Sequence, residues 1–444
     1  MTSDHLWGPQ TDLAIANFPI SGRRIDRRII TALAQVKQAA AIVNAQSNVI
    51  TDDVHTAIVV AADSIIRGDH QDQFPIDVFQ TGSGTSTNMN VNEVIATLAT
   101  ASLGRAVHPN DDVNASQSSN DAFPTALHVA AADAITHQLL PAVETLAQTC
   151  EVRANEFANT VKPGRTHLMD AVPVTLGQEF SGYAAQLRFS LEQIAATMPR
   201  LCEVPLGGTA VGHGLNTPRG FRSAVVAELA RITRLPLTPA RNGFEAQAAR
   251  DGLVATSGAL RGLAVTLTKI VNDLRWMNSG PATGLGEIAL PELQAGSSIM
   301  PGKVNPVIPE AVAQVCAHVI GLDASIAWGG AAGSFELNTM MPMMGSNLLE
   351  AIHLLANSSA VLETKAVRGL TANTDHMAQM AAASPAVVTA LNTTIGYERA
   401  GQIVKQAASQ GISIMDAVRA QIASGELEAD ALEAVDPIRL AHPE

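Results

Sequence analysis

The chain has 444 residues, too many for one ordinary hydrophobic core, so two or three structural regions are expected. Apolar residues make up 47% and aromatics only 3%, so the core must be built from Ala, Leu, Ile and Val, and abundant Ala favours closely packed helices. A formal net charge of −13 argues against a general nucleic-acid surface, although a local cluster of donors can still hold a small dianion.

Cys150, Cys202 and Cys316 are too far apart for a disulfide framework or a zinc knuckle, and they suit a reducing compartment. Residues 1–7 lack a basic-then-apolar signal, and no uninterrupted apolar run is long enough for a bilayer span. The expectation is a cytoplasmic protein without membrane or nucleic-acid partners.

Helical periodicity dominates from the start. Helices are expected over residues 24–46, 52–66 and 89–101, with the polar, Gly-rich stretch Gln80-Thr-Gly-Ser-Gly-Thr-Ser-Thr-Asn88 before the third. After His108-Pro-Asn-Asp111 comes a second polar stretch, Ser116-Gln-Ser-Ser-Asn-Asp121. An Ala/Leu-rich segment then runs to about Thr160, and Pro141 should kink or break it near Leu140. Thr175-Leu-Gly-Gln178 has capping-box spacing and opens a helix towards Thr197.

Residues 244–277 are almost wholly helix-compatible. Asn305-Pro306 reads as the N-cap and first position of the next helix, where Val312, Val315, Cys316, Val319 and Ile326 recur as one buried stripe. Residues 337–356 suit a further helix. From about Leu370 onward the helices shorten and are punctuated by Gly411 and Gly425, so a small C-terminal domain is expected. The pattern predicts an all-α elongated bundle with more apolar helix surface than one chain hides, hence an oligomer.

The chemistry is concentrated in the polar loops. Gly296-Ser-Ser-Ile-Met-Pro-Gly-Lys-Val-Asn-Pro306 combines two hydroxyls, a lysine, an asparagine amide and turn glycines. It is no P-loop, because Val304 stands where a magnesium-binding hydroxyl is needed. Gly329-Gly-Ala-Ala-Gly333 is a bend rather than a dinucleotide fingerprint, and the histidines lack metal-ligand spacing, so neither cofactor nor metal is expected.

The loop at residues 296–306 resembles the signature of the fumarase/aspartase superfamily. Gln80-Thr-Gly-Ser-Gly-Thr-Ser-Thr-Asn-Met-Asn-Val-Asn-Glu93, the segment from His108 to Asp121, Gly164-Arg-Thr-His-Leu-Met-Asp-Ala171, Leu206-Gly-Gly-Thr-Ala-Val-Gly212 and Phe335-Glu-Leu-Asn338 continue the resemblance in the family's order. His167, His108, the Ser118-Ser119 doublet and Gly302 resemble the class II, metal-independent fumarases more than the aspartases. The resemblance implies a three-domain all-α fold with a long central helix bundle (1–117, 118–370, 371–444). It also implies a homotetramer with active sites shared between chains, and reversible hydration of fumarate to L-malate in the tricarboxylic acid cycle.

Removing the proton beside a malate carboxylate builds up two negative charges, giving an aci-carboxylate that needs preorganised donors. The resemblance assigns this to Lys303 and Asn305, the proton acceptor to Ser297, and the acid–base group at the hydroxyl-bearing carbon to His167, backed by Glu310. It implies that Ser83, Thr85, Ser118, Ser119, Asn120, Thr166 and Ser298 hold the dianion. Helix N-termini beyond these loops would help. Arg105, His108, Asn110 and Asp111 resemble a secondary carboxylate site. For each hydroxyl the alternative is ordinary helix capping, and for the secondary segment a structural turn. Leu13, His213 and Gly243 depart from the family pattern. An ammonia lyase and a non-catalytic structural protein, as in eye lenses, are the rival readings; His167 argues against the first, and Ser297, Lys303 and His167 together against the second.

Overall fold

The computed structural model describes residues 5–442 except Ala295 and Ser297. Helices carry the fold. The strands form three two-stranded pairs: Val161–Thr166 with Met169–Thr175 (antiparallel), Glu203–Val204 with Thr238–Pro239 (parallel), and Ile288–Ala289 with Thr371–Ala372 (antiparallel). The chain divides into two compact units. The first comprises residues 1–141, 190–265 and 315–357; the second comprises residues 142–189, 266–314 and 358–444.

In the first unit, helix Arg27–Gln46 starts where the Asp26 carboxylate accepts from the Arg28 N–H. It buries Ile29, Ile30, Leu33, Ala34, Val36 and Ala40 and packs on helices Asp52–Arg67, Ser119–Ala134 and Phe221–Thr233. The third expected helix begins four residues earlier than its periodicity indicates, at Thr85, because Gly84 takes a left-handed conformation (φ 74°) and turns the polar stretch straight into Thr85–Leu103. A side chain at Gly84 would run into the Phe123 ring, so this entry requires glycine.

Two helix expectations change in detail. Pro141 does not end its helix. Instead a π turn, Ile135–Leu139, precedes helix Leu140–Glu156, and the one-residue widening accommodates the ring and the missing N–H. The stretch over residues 244–277 breaks at Ala249, which is extended, into Gly243–Ala248 and Asp251–Met277. The buried Arg250 guanidinium donates to the carbonyls of Ala246 and Gln247, satisfying the orphan C-terminal carbonyls of the short helix.

Helices Asp251–Met277 and Val307–Ala331 have the length and apolarity of a membrane span. Asp323, buried on the second, accepts from Ser257 and Arg261 of the first at 2.7 and 2.8 Å. Four of the five residues of the expected stripe, Val312, Cys316, Val319 and Ile326, are buried, and Val315 is half-buried. Val265, Ile320 and Trp328, by contrast, are exposed apolar side chains on these helices.

In the second unit the capping box forms as read. Thr175 N–H donates to Gln178 Oε1 and Gln178 N–H to Thr175 Oγ1, each at 3.0 Å, opening helix Leu176–Leu201. Near the C-terminus, Val387, Leu391, Ile403, Ala417, Val418 and Val435 form a separate small core among short helices.

Candidate active site

The signature loop closes on itself. Gly296 N–H donates to the Lys303 carbonyl at 2.9 Å, and Asn305 Nδ2 donates to the Gly296 carbonyl at 2.7 Å. A Cβ at Gly296 would run into that Lys303 carbonyl, and Gly302 is left-handed (φ 76°), so both glycines are dictated by the closure. Helix Val307–Ala331 follows. One N–H of the Asn305 amide thus ties the loop just before this helix, and the amide keeps a second N–H donor.

Under the loop lies a cavity of about 850 Å3 whose wall includes Lys303, Asn305 and Glu310 together with Trp276, Ser279 and Leu290. Three of the expected catalytic or binding residues thus meet in one place. Lys303 is exposed on this wall. A charged donor and an amide on the wall of one cavity are what a developing dianionic carboxylate requires. Ser298 is exposed on the same loop. Ser297, the expected proton acceptor, lies outside the described residues.

His167 occupies the tip of the Val161–Thr166/Met169–Thr175 hairpin, with Thr166 paired to Met169. It does not line the cavity of its own chain. The two turn residues, His167 and Leu168, are both left-handed (φ 56° and 60°). This is the conformation of a primed two-residue turn, normally given to Asn-Gly. Holding a leucine there costs on the order of 1–2 kcal/mol. Both turn residues and the adjacent Met169 are exposed, presenting an apolar-flanked imidazole outward.

In the first unit, the other expected contacts gather at two helix N-termini. Ser83 and Thr85 hydroxyls are 2.7 Å apart at the start of Thr85–Leu103. Ser118 caps helix Ser119–Ala134 by accepting from the Asn120 N–H, while Asp121 accepts from the Ser118 N–H, a full capping box. Asn88 Nδ2 reaches Ser119 Oγ at 3.1 Å, and Asn120 Nδ2 donates to the Ala210 carbonyl at 3.0 Å. Capping and binding are compatible here, since a capped N-terminus still presents partial positive charge.

Arg105, His108, Asn110 and Asp111 share one exposed segment around the π turn Pro109–Val113. Arg105 is already engaged by Asp53 at 2.6 Å, and hydrogen bonds from the Thr51 hydroxyl and from Arg105 hold that carboxyl down at about 2. His108 Nδ1 accepts from the Asp111 N–H.

Sequence reasoning passed over Lys37. Wholly buried, it donates to Asn114 Oδ1 at 2.8 Å and Gln117 Oε1 at 3.0 Å; Asn114 Oδ1 in turn accepts from Asn88. Burial pulls its pKa down to about 7, opposed by the Asp121 charge. Burial also pushes Asp121 up to about 6, against hydrogen bonds from the N–H groups of Ser118, Thr209 and Gly207. The signal was present: Lys37 and Asn44 sit on the apolar stripe with Ile30, Leu33 and Ala41.

Residues 1–321 match the family model described as Lyase, and residues 387–442 the one described as Fumarase C C-terminus. Over 414 residues the chain is 57% identical to fumarate hydratase class II of Mycobacterium tuberculosis (strain H37Rv), covering 93% of this chain and 87% of the relative. The chain belongs to the class II fumarate hydratase family. A second class II fumarate hydratase, from Corynebacterium glutamicum, is 52% identical over 443 residues, 99% of this chain and 93% of the relative. Among solved structures, the class II fumarase of Schistosoma mansoni superposes with a TM-score of 0.96 at 35% identity, over 100% of this chain and 97% of that one. The fumarate lyase:delta crystallin of Brucella melitensis, bound to cobalt, gives 0.95 at 42% identity with the same coverages. The all-α fumarase-like fold and the family resemblance read from the loops are therefore both borne out.

Proposed function

We propose that the chain is a fumarate hydratase that adds water reversibly to fumarate, giving L-malate by acid–base catalysis through an aci-carboxylate. The observation that carries the chemistry is the convergence of Lys303 and Asn305 on one cavity beneath a glycine-closed loop. In the malate-to-fumarate direction, Ser297 takes the proton from the carbon beside one carboxylate. The electron pair moves into that carboxylate, where the Lys303 ammonium and the Asn305 amide stabilise it. Hydroxide then leaves the neighbouring carbon and takes a proton from His167 or a water it holds, with Glu310 as the carboxylate partner. Hydration runs the same steps backwards. Ser83, Thr85, Ser118, Ser119, Asn120, Thr166 and Ser298 bind the two carboxylates.

We infer that the sites are shared between the chains of a homotetramer. His167 is exposed at the hairpin tip and does not line the cavity of its own chain, and Val265, Ile320 and Trp328 leave apolar helix surface uncovered. The segment bearing Arg105, His108, Asn110 and Asp111 is proposed as a secondary carboxylate site, in which an incoming carboxylate would displace Asp53 from Arg105. Three buried free thiols support a reducing, cytoplasmic setting.

Ultraviolet absorbance of the conjugated double bond tests the reading. Absorbance should rise when the protein meets L-malate and stay flat with L-aspartate. A rise with aspartate alone would replace hydration by ammonia elimination.

A further inference from the structure

Beneath the His167 hairpin lies a carboxylate that the chemistry above does not use. Glu287 is wholly buried; its Oε1 accepts from Arg165 Nη1 at 2.7 Å, and Lys162 Nζ lies 2.8 Å from its Oε2. Lys162, itself buried, also donates to Glu179 Oε2 at 2.7 Å. Two backbone hydrogen bonds fix the Glu287 peptide: its N–H donates to Met277, and its carbonyl accepts from Asn373, both at 2.8 Å. The next three residues, Ile288, Ala289 and Leu290, line the cavity that also holds Lys303, Asn305 and Glu310. One side chain therefore joins the strand leading to His167 with the strand that walls the cavity.

Stability does not account for this arrangement. Lys162 and Glu287 are taken out of water, with Arg165 and Glu179 partly so, and apolar residues of similar volume commonly serve a core as well or better. What the cluster provides is position. Beyond Arg165 the ribbon has one more pair, Thr166 with Met169, and then the two left-handed turn residues. A two-stranded ribbon is marginal by itself, so the tip that carries His167 needs an anchor close to the turn. Arg165, two residues from His167, is that anchor.

We propose that Glu287 is a positioning residue: through Arg165 and Lys162 it fixes the height and direction of the His167 turn. The proposal rests on His167 acting as the acid–base group. An angular error of a few tens of degrees at such a group lowers turnover far more than it weakens substrate binding.

The test uses Glu287→Gln, Glu287→Asp and Arg165→Gln in the full-length assembled protein. Hydrogen exchange is read first because it does not depend on turnover. Glu287→Gln should speed exchange of the 161–175 hairpin about tenfold or more and leave helix Asp52–Arg67 unchanged. An unaltered hairpin overturns the proposal, whatever the protein catalyses. With fumarate, kcat should fall about 10- to 100-fold in Glu287→Gln and in Arg165→Gln while KM moves less than about threefold, and Glu287→Asp should recover about tenfold of the loss. A rise in KM at constant kcat overturns the proposal. So does an equal loss in the Gln and Asp variants accompanied by a drop in thermal midpoint, because that pattern marks a purely structural role. If the unaltered protein itself fails to hydrate fumarate, the functional reading falls, and hairpin exchange still decides the role of Glu287.

Discussion

Lys303 is exposed on a cavity wall, so removing it should cost chemistry and little else. Lys303→Met is expected to lower kcat by about 10²–10³-fold, the usual consequence of losing one preorganised donor. Its thermal midpoint should match that of the unaltered chain; a matching kcat would remove Lys303 from the mechanism. His128 is the opposite case, a structural histidine. Its Nδ1 lies 2.7 Å from the Leu201 carbonyl, and burial, helped by the Arg250 charge, lowers its pKa from 6.5 to about 4. Between those values the unfolded chain binds a proton that the folded chain refuses. Stability from this residue is therefore full above pH 6.5 and is lost as pH falls to about 4, a swing of about 3 kcal/mol. The stability margin of the unaltered protein over His128→Asn should shrink across that window in denaturant titrations, and a constant margin would contradict the assignment. Lys303, Asn305 and His167 were legible because their loops combine residue types with few structural uses. Glu287 was not, and for Lys37 the apolar stripe around it signalled burial but not its partners. A lone lysine or glutamate in a sequence reads as surface, and only its burial among partners far along the chain gives it a role.

Local signals read well at the scale of elements where they are short-ranged. The box at Thr175 and Gln178 formed because both hydrogen bonds lie within four residues of chain. Thr175→Ala should lose the side-chain half of that box and lower stability by about 1 kcal/mol, seen as a fall in thermal midpoint; no fall would mean that the helix start is held by packing alone. Pro141 was correctly identified as a disturbance but not as a π turn, since proline chemistry forbids a regular helix without choosing how the chain accommodates it. The break at Ala249 was invisible for a different reason. Residues 244–277 are almost wholly helix-compatible, and the interruption is stabilised by a buried guanidinium whose place is set by packing. The His167-Leu168 turn runs against propensity, because no short-range rule places leucine in a left-handed position. Such a violation fits an element whose conformation is fixed from beneath, by Glu287, rather than by the turn sequence.

At the scale of the whole molecule, the exposed apolar side chains make assembly the testable quantity. Trp328 is 76% exposed on helix Val307–Ala331. Trp328→Glu should leave each chain folded by circular dichroism but dissociate the oligomer in sedimentation, and activity should vanish with it. Full turnover by dissociated chains would refute shared sites. By itself the sequence determined the helical class, the family, the reactive loops and the expectation of an oligomer. These follow from periodicity, composition and the chemistry of short motifs, all of which are written within a few residues of chain. The tertiary structure alone decided that Lys303, Asn305 and Glu310 share one cavity, that Asn305 ties the loop to Gly296, and that Lys37 and Glu287 are buried charges. Those facts depend on which distant residues exclude water from a given side chain, and only the packed chain specifies that.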